Sequence, residues 1–495
     1  MQGNQGLILA SVIFVVAIVQ MMIRKRRTSP TAMKWPAGPR KLPIIGNMHQ
    51  LSRADGLFHV ALTKLAKVHG SVMTIWLGSW RPTIVVSDDE VAWEVLVNKS
   101  SDYAARDHPY IDKIMWAGAR TIHTSDASPH WHSLRKGLQS GGLGPLSISG
   151  QTHLQEKDIA QMLRDMREEA SLNGGLVKPF HHIRRTSVRL LCRLCFGPNF
   201  EDAKFSEAID KAIEDIIRIS GVGYLADAFF FGRHFPGLKH TFQEACDLKR
   251  RVEDLIRPFL RAVPPPNCYL HFLLSNNIPE DVTIFTILEV FTLGIDSTSS
   301  TATWALALLT NEQRVQQKLY QDIKKNIDST QQIVRVEDVS KLQYLQAAVK
   351  ETLRLKPVAP LVPHMTATET TLMGTKVAQG TRVVVNLHAI HYNPNVWPEP
   401  EKYMPERFMP RQEEVDEIRP GTTKLSYFLP FGGGMRACAG MEVGKLHVGF
   451  VIANIVNAFQ WSSAVEGQPP DLTEDFKFVL LMKNPLTVRI TARHP

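Results

Sequence analysis

Cysteine is scarce. Five thiols (Cys192, Cys195, Cys246, Cys268 and Cys438) in 495 residues are too few for a disulfide scaffold, and the odd number leaves at least one unpaired. A reducing compartment fits that usage. Charged residues are 21% and aromatics 8%, with no sustained heptads and no collagen-like period, which excludes a rod or a fibre. No cysteine–histidine spacing suits a zinc finger and no basic stripe is interleaved with aromatics, so nucleic acid is not the expected partner. What is present is apolar: 44% hydrophobic residues can bury a large core, so the chain is not mainly disordered. The formal charge of +9 is partly one block, Arg24-Lys25-Arg26-Arg27, directly after an apolar run. That placement points to a membrane.

From Leu7 to Ile23 the sequence is uncharged and reaches the roughly 17-residue minimum of a spanning helix. A secretory signal carries its positive charge before the apolar run; here the charge follows, which predicts an uncleaved anchor. The positive-inside bias then places the globular part in the cytosol. The expected division is 1–27 membrane anchor and basic stop, 28–50 proline-rich linker, and 51–495 one large domain. Pro36, Pro39 and Pro43 exclude a helix in the linker and make it stiff. Met73 to Trp76 and Thr83 to Val86 read as short strands, and from about Glu90 the apolar period is near 3.6. The predicted fold class is mainly α with small β-sheets. Around Gly223 to Leu238, Phe229, Phe230, Phe231 and Phe235 sit among glycines and a proline. This loop suits either a dip into the membrane or aromatics folded into the core.

The most informative segment is P-F-G-G-G-M-R-A-C-A-G, Pro430 to Gly440. Gly432, Gly433 and Gly434 permit a tight turn and the close approach of a flat ligand. Amides at the start of the following helix favour a thiolate at Cys438. An isolated buried cysteine is ordinarily an inert core thiol. Here the pattern F-x-x-G-x-R-x-C-x-G is matched at every fixed position, by Phe431, Gly434, Arg436, Cys438 and Gly440. With it the sequence resembles the cytochrome P450 family of haem-thiolate monooxygenases.

The resemblance implies haem b with Cys438 as its axial metal ligand, and Phe431 and Arg436 beside the cofactor, Arg436 on a propionate. Other family signatures follow in order. K-E-T-L-R supplies Glu351 and Arg354, one helical turn apart, and M-P-E-R-F supplies Arg407. By resemblance these three, with Gly434 and Gly440, support the cysteine loop. Trp131 and Arg135 in W-H-S-L-R, and His364 in A-P-L-V-P-H, match positions that contact haem propionates. The distal helix is F-T-L-G-I-D-S-T-S-S-T, running from about Thr283 to Leu309. Gly294 thins it where oxygen binds, and Asp296 and Ser297 match the acid and alcohol that relay protons to dioxygen. Read without the family, the hydroxyls would simply back-bond to helix carbonyls.

Whole-length similarity is strongest to a plant subfamily that forms methylenedioxy bridges, through stretches such as L-G-I-D-S-T-S-S-T and M-R-A-C-A-G-M-E-V-G-K-L. The departure from threonine at Ser297 is shared with it. This implies O2 as cosubstrate and electrons from NADPH through a flavoprotein NADPH-cytochrome reductase. It further implies a single-pass endoplasmic reticulum membrane protein facing the cytosol. The substrate is then a small aromatic plant metabolite with a methoxy group ortho to a phenol, an isoquinoline or protoberberine alkaloid or a lignan such as matairesinol, which gives pluviatolide. Hydrogen is taken from the methyl, and the phenol oxygen, already within bonding range, closes the ring. By matching family position the pocket includes Leu293, Gly294, Val358, Leu361, Val362 and Val479, within wider segments such as Phe478 to Leu481. Oxidative phenol coupling, hydroxylation and O-demethylation remain open on the same motifs. An NADPH-independent haem-thiolate isomerase is disfavoured by the Asp296–Ser297 pair.

Overall fold

The computed structural model describes residues 35–52, 56–78, 81–228, 236–328, 331–409 and 427–494. The apolar run Leu7–Ile23, its basic block and the aromatics Phe229, Phe230, Phe231 and Phe235 lie outside the described residues. The early strands are β1 (Val72–Leu77) and β2 (Arg81–Val86), paired antiparallel. They continue, parallel from β2, into Arg382–Asn386 and then, antiparallel, into Leu361–Met365, giving a four-stranded sheet. The described part of the proline run is an irregular strap along β1. Thr74 N–H donates to the Ala37 carbonyl at 3.2 Å, and Asn47 N–H to that of Trp76 at 2.8 Å. Gly38 is required here, because a Cβ would stand 2.1 Å from the Thr74 carbonyl oxygen. Proline cannot join a sheet ladder fully, so the strap touches the edge without becoming a strand.

The rest is mainly helical, as the 3.6-residue period predicts. The helices that position the site are α1 (Pro129–Gly137), α2 (Thr152–Leu172), α3 (Pro179–Phe196), α4 (Ala203–Ala228), α5 (Glu280–Asn311), α6 (Gln343–Leu355) and α7 (Met441–Ala458). At about 1.5 Å per residue, the 32 residues of α5 run close to 48 Å through the molecule. The helix is buried nearly all round, which is why it lacks a polar face. With a mean hydropathy of 1.3 it is apolar enough to cross a membrane, yet most of it is packed inside the protein. Its N-terminal half, through Ile295, belongs to one apolar cluster with α3 and α4; its C-terminal half, from Ala302, joins a second cluster with α2, α6 and α7. The site lies at the change between them.

Glu351 and Arg354 on α6 are both fully buried and paired through two contacts of 2.8 Å. Arg407 reaches the same carboxylate at 3.2 Å, and Arg354 also donates to the His391 carbonyl at 2.8 Å. Two cations share one buried anion here, and carbonyls take the remaining guanidinium protons. Such a cluster fixes one arrangement of α6 against the 399–408 segment, because losing any partner leaves a charge stranded in low dielectric.

Candidate functional site

The cysteine loop ends at the start of α7. Gly432 and Gly434 both have positive φ, 66° and 57°, and a Cβ at Gly434 would stand 2.2 Å from the Leu96 carbonyl oxygen. The loop therefore closes only with glycine there. The Cys438 amide donates to the Phe431 carbonyl at 2.9 Å, tying the two ends together. The thiol is accessible to solvent but lies deep among protein atoms. That burial pushes its pKa up, while the Gly440 amide and the Arg135 guanidinium favour the thiolate.

Above the loop stand the cations named from the sequence, with one more. Arg436 donates to the carbonyls of Ala104 (Nε, 2.9 Å) and Ser125 (Nη2, 2.6 Å), and its guanidinium lies 4.4 Å from the centre of the Trp131 ring. Trp131 Nε1 donates to the Ile122 carbonyl at 2.9 Å, and Arg135 to that of Ala437 at 2.6 Å. His364 meets the Tyr103 carbonyl at 3.0 Å; burial and the cation of Arg106 lower its pKa to about 4, so it is neutral. Arg106, which the motifs did not single out, donates to the carbonyls of His123 at 3.0 Å and Pro363 at 2.8 Å. Burial lowers Arg436 to about 9, with the neighbouring Arg106 adding to it. Arg106 itself falls to about 10, through burial and, against the pull of Glu289 and Asp126, the proximity of Arg135. Crowded, desolvated cations of this kind suit a dianionic ligand.

On the other side α5 opens. Leu293 is 37% exposed and Ser297 partly so, whereas Phe291, Thr292, Ile295 and Asp296 are buried. Exposure at i and i+4 in a helix otherwise enclosed marks the wall of a recess. Gly294 serves packing as well: a Cβ there would come within 2.8 Å of Leu191 on α3. Ser297 Oγ donates back to the Leu293 carbonyl at 2.6 Å. Adjacent helix positions differ by about 100°, and Asp296 accordingly faces away from that opening. It pairs with Arg184 of α3, which also bonds Asp210 of α4 at 2.7 Å. The acid and the alcohol are thus neighbours in sequence on different faces. Val358, Leu361 and Val362 are partly exposed, and Val479 is 6% exposed.

Sequence reasoning missed Arg106, Arg184 and Glu289. Glu289, on α5, accepts from Ile122 N–H at 2.9 Å and from His123 Nδ1 at 2.7 Å, holding the 117–125 loop that supplies carbonyls to Arg436 and Trp131. Helical phase would have found Arg184, since it shares its face of α3 with Val188, Leu191 and Cys195. Arg106 lies outside any regular element, and its partners are remote in sequence.

The donor set fits haem. Among the described residues no group of three or more His, Cys, Asp and Glu is placed to hold a metal ion. A metal at Cys438 therefore needs equatorial ligands from outside the protein, as a porphyrin provides, and the arginines suit its two carboxylates. Fold and site define the class as a haem-thiolate oxidoreductase. The family described as Cytochrome P450 matches residues 36–489. An (S)-canadine synthase of Coptis japonica is 55% identical over 496 residues, covering 100% of both chains. A pluviatolide synthase of Podophyllum peltatum is 47% identical, covering 98% of each, and a piperic acid synthase of Piper nigrum 49%, covering 94% of this chain and 92% of its own. Among solved structures, a zebra fish cytochrome P450 with progesterone superposes with a TM-score of 0.74 at 25% identity, covering 88% of this chain and 99% of that one. The chain belongs to the cytochrome P450 family. Its activity accordingly uses haem-thiolate iron, O2 and electrons from NADPH delivered by a reductase.

Proposed function

We propose that this monooxygenase forms a methylenedioxy bridge on a plant aromatic metabolite, from a methoxy group ortho to a phenol. The observation that carries the reading is end-to-end identity of 47 to 55% with relatives whose names span an alkaloid synthase and a lignan synthase. The overall change takes two hydrogens from the substrate, one from the methyl and one from the phenol, while O2 and NADPH with a proton yield two waters and NADP+. Haem, when bound, supplies the oxidising power. The chain supplies geometry. Cys438 would hold the haem iron through its thiolate, Arg106, Arg135 and Arg436 would meet the haem carboxylates, with His364 joining them once their charge protonates it, and Phe431, whose carbonyl accepts from the Cys438 amide, would lie beside the cofactor. Leu293, Gly294, Val358, Leu361, Val362 and Val479 aim one methyl and hold the phenol oxygen near it, so ring closure needs no outside nucleophile.

Ser297 holds a proton at the recess, handing on its Oγ proton when the back-bond to Leu293 is released. Asp296 relays the replacement: once swung from Arg184, its carboxylate takes a proton from solvent and passes it to the Ser297 oxygen. The protein is held at the endoplasmic reticulum by a single-pass N-terminal anchor and basic stop, residues 1–27, with a proline-rich 28–50 linker and the 51–495 domain in the cytosol. Membrane placement rests on the uncharged Leu7–Ile23 run followed by Arg24–Arg27.

Turnover by microsomes with reductase and NADPH on a panel of guaiacyl alkaloids and lignans tests the reading. A product two hydrogens lighter, lacking the free phenol, is expected from one substrate class. Gain of an oxygen, or loss of the whole methyl, would replace the proposal with hydroxylation or O-demethylation.

A further inference from the structure

Beyond Ser297, the face of α5 that opens to the recess continues through Ser300 and Trp304, at i+7 and i+11 from Leu293. These two are buried because something covers them. The cover is the hairpin of Glu474–Phe476 and Leu480–Met482, in which Leu480 pairs with Phe476. Ser300 Oγ donates to the Leu480 carbonyl at 2.5 Å, and Trp304 Nε1 donates to the same oxygen at 3.0 Å. The Leu480 amide donates to the Val358 carbonyl at 2.9 Å. Leu480 thus joins the segment after α6 through its amide and α5 through its carbonyl, two successive peptide units of the hairpin.

The base of the hairpin is held by a second link to the same tryptophan. Lys356 Nζ lies 4.7 Å from the centre of the Trp304 ring and 2.6 Å from Glu474, whose other oxygen meets His59 Nε2 at 3.1 Å. A charged clamp fixes the base of the hairpin to the body, whereas nearer the tip its link to α5 rests on two donors to one carbonyl. Val479 shares a peptide unit with the Leu480 amide, so a shift of the Leu480 backbone moves Val479 relative to Leu293 and Ser297.

We propose that Ser300 and Trp304 are positioning residues that set the end wall of the substrate recess by holding the Leu480 backbone through its carbonyl. Neither touches the reacting atoms. They act through Val479 and Leu480, and they determine how closely a bulky aromatic ligand is gripped. The substrate arm of the test rests on the function proposed above, and the azole arm does not.

The experiment uses the full chain with bound haem and its reductase, carrying Ser300→Ala, Ser300→Thr or Trp304→Phe. Each removal of a donor is expected to raise KM for the bridge-forming substrate about fivefold with kcat within about twofold, the size of one net hydrogen bond. Ser300→Thr, which keeps the hydroxyl, is expected to restore KM. Titration with 4-phenylimidazole, followed by haem absorbance, is expected to weaken about fivefold in the donor-removing variants. Bare imidazole, too small to reach the wall, is expected to bind as before. Parent-like KM and phenylimidazole binding in both Ser300→Ala and Trp304→Phe would overturn the proposal. So would equal weakening of both azoles, because that signals general loosening of the haem site. If no bridge product forms while the azole contrast holds, the wall assignment stands and the function reading falls. Where Ser300→Ala fails to fold, Trp304→Phe carries the same contrast.

Discussion

At the scale of single residues, the site's chemistry is mostly a matter of where charge is desolvated. Arg106 has two backbone carbonyls as acceptors and a pKa lowered to about 10, so a bound carboxylate would meet an unsatisfied charge. Arg106→Leu is expected to lower the haem retained per chain, measured as pyridine haemochrome against protein mass; full retention would remove Arg106 from the propionate edge. Asp112 is a different case. It accepts from the Tyr224 hydroxyl at 2.9 Å, and burial, opposed mainly by His123, raises it to about 6. An acid with a folded-state pKa above its unfolded one binds its proton more tightly when folded, so stability falls as pH rises from near 4 to about 6. The loss is on the order of 3 kcal/mol and persists above that window. Asp112→Asn is therefore expected to raise the unfolding temperature at pH 8 and to gain much less at pH 5. An equal gain at both values would show that ionisation is not the cause.

At the scale of elements, what was legible depended on whether the signal was local. The cysteine loop is written in its glycines and in fixed positions five residues either side of Arg436 or fewer. Gly434 sits where a side chain would strike Leu96. The distal helix was legible as an apolar run, with ends at Glu280 and Asn311 slightly beyond those expected. Its polar contacts were not: helical phase places Arg184 on the inner face of α3, but the roles of Arg184 and of Glu289 on α5 itself are set by α3 and the 117–125 loop packing against α5. The strap over β1 was also hidden, because prolines specify what a segment cannot form and say little about what it lies against. Glu351, Arg354 and Arg407 lie between these extremes, legible as a set in chain order though their sharing of one carboxylate is tertiary. Glu351→Gln would leave two cations around a neutral group and is expected to cost about 3–5 kcal/mol. A urea series on the haem-bound protein measures it, and an unchanged midpoint would mean the cluster is not coupled to folding.

At the scale of the whole molecule, a buried helix, a cysteine loop and a cluster of arginines are assembled from separated parts of the chain. General chemistry follows from that assembly and from family membership. The particular reaction does not, because bridge formation, phenol coupling and demethylation place the same demands on the cofactor and differ in which substrate atom is aimed at it. The most direct measurement gives the reconstituted enzyme, with reductase and NADPH, a guaiacyl alkaloid or lignan carrying a trideuterated methoxy group, and reads the product by mass spectrometry. Loss of one deuterium and one hydrogen, leaving a dideuterated bridge, is the expected result. Retention of all three deuteriums with loss of two hydrogens would contradict the bridge and establish phenol coupling in its place.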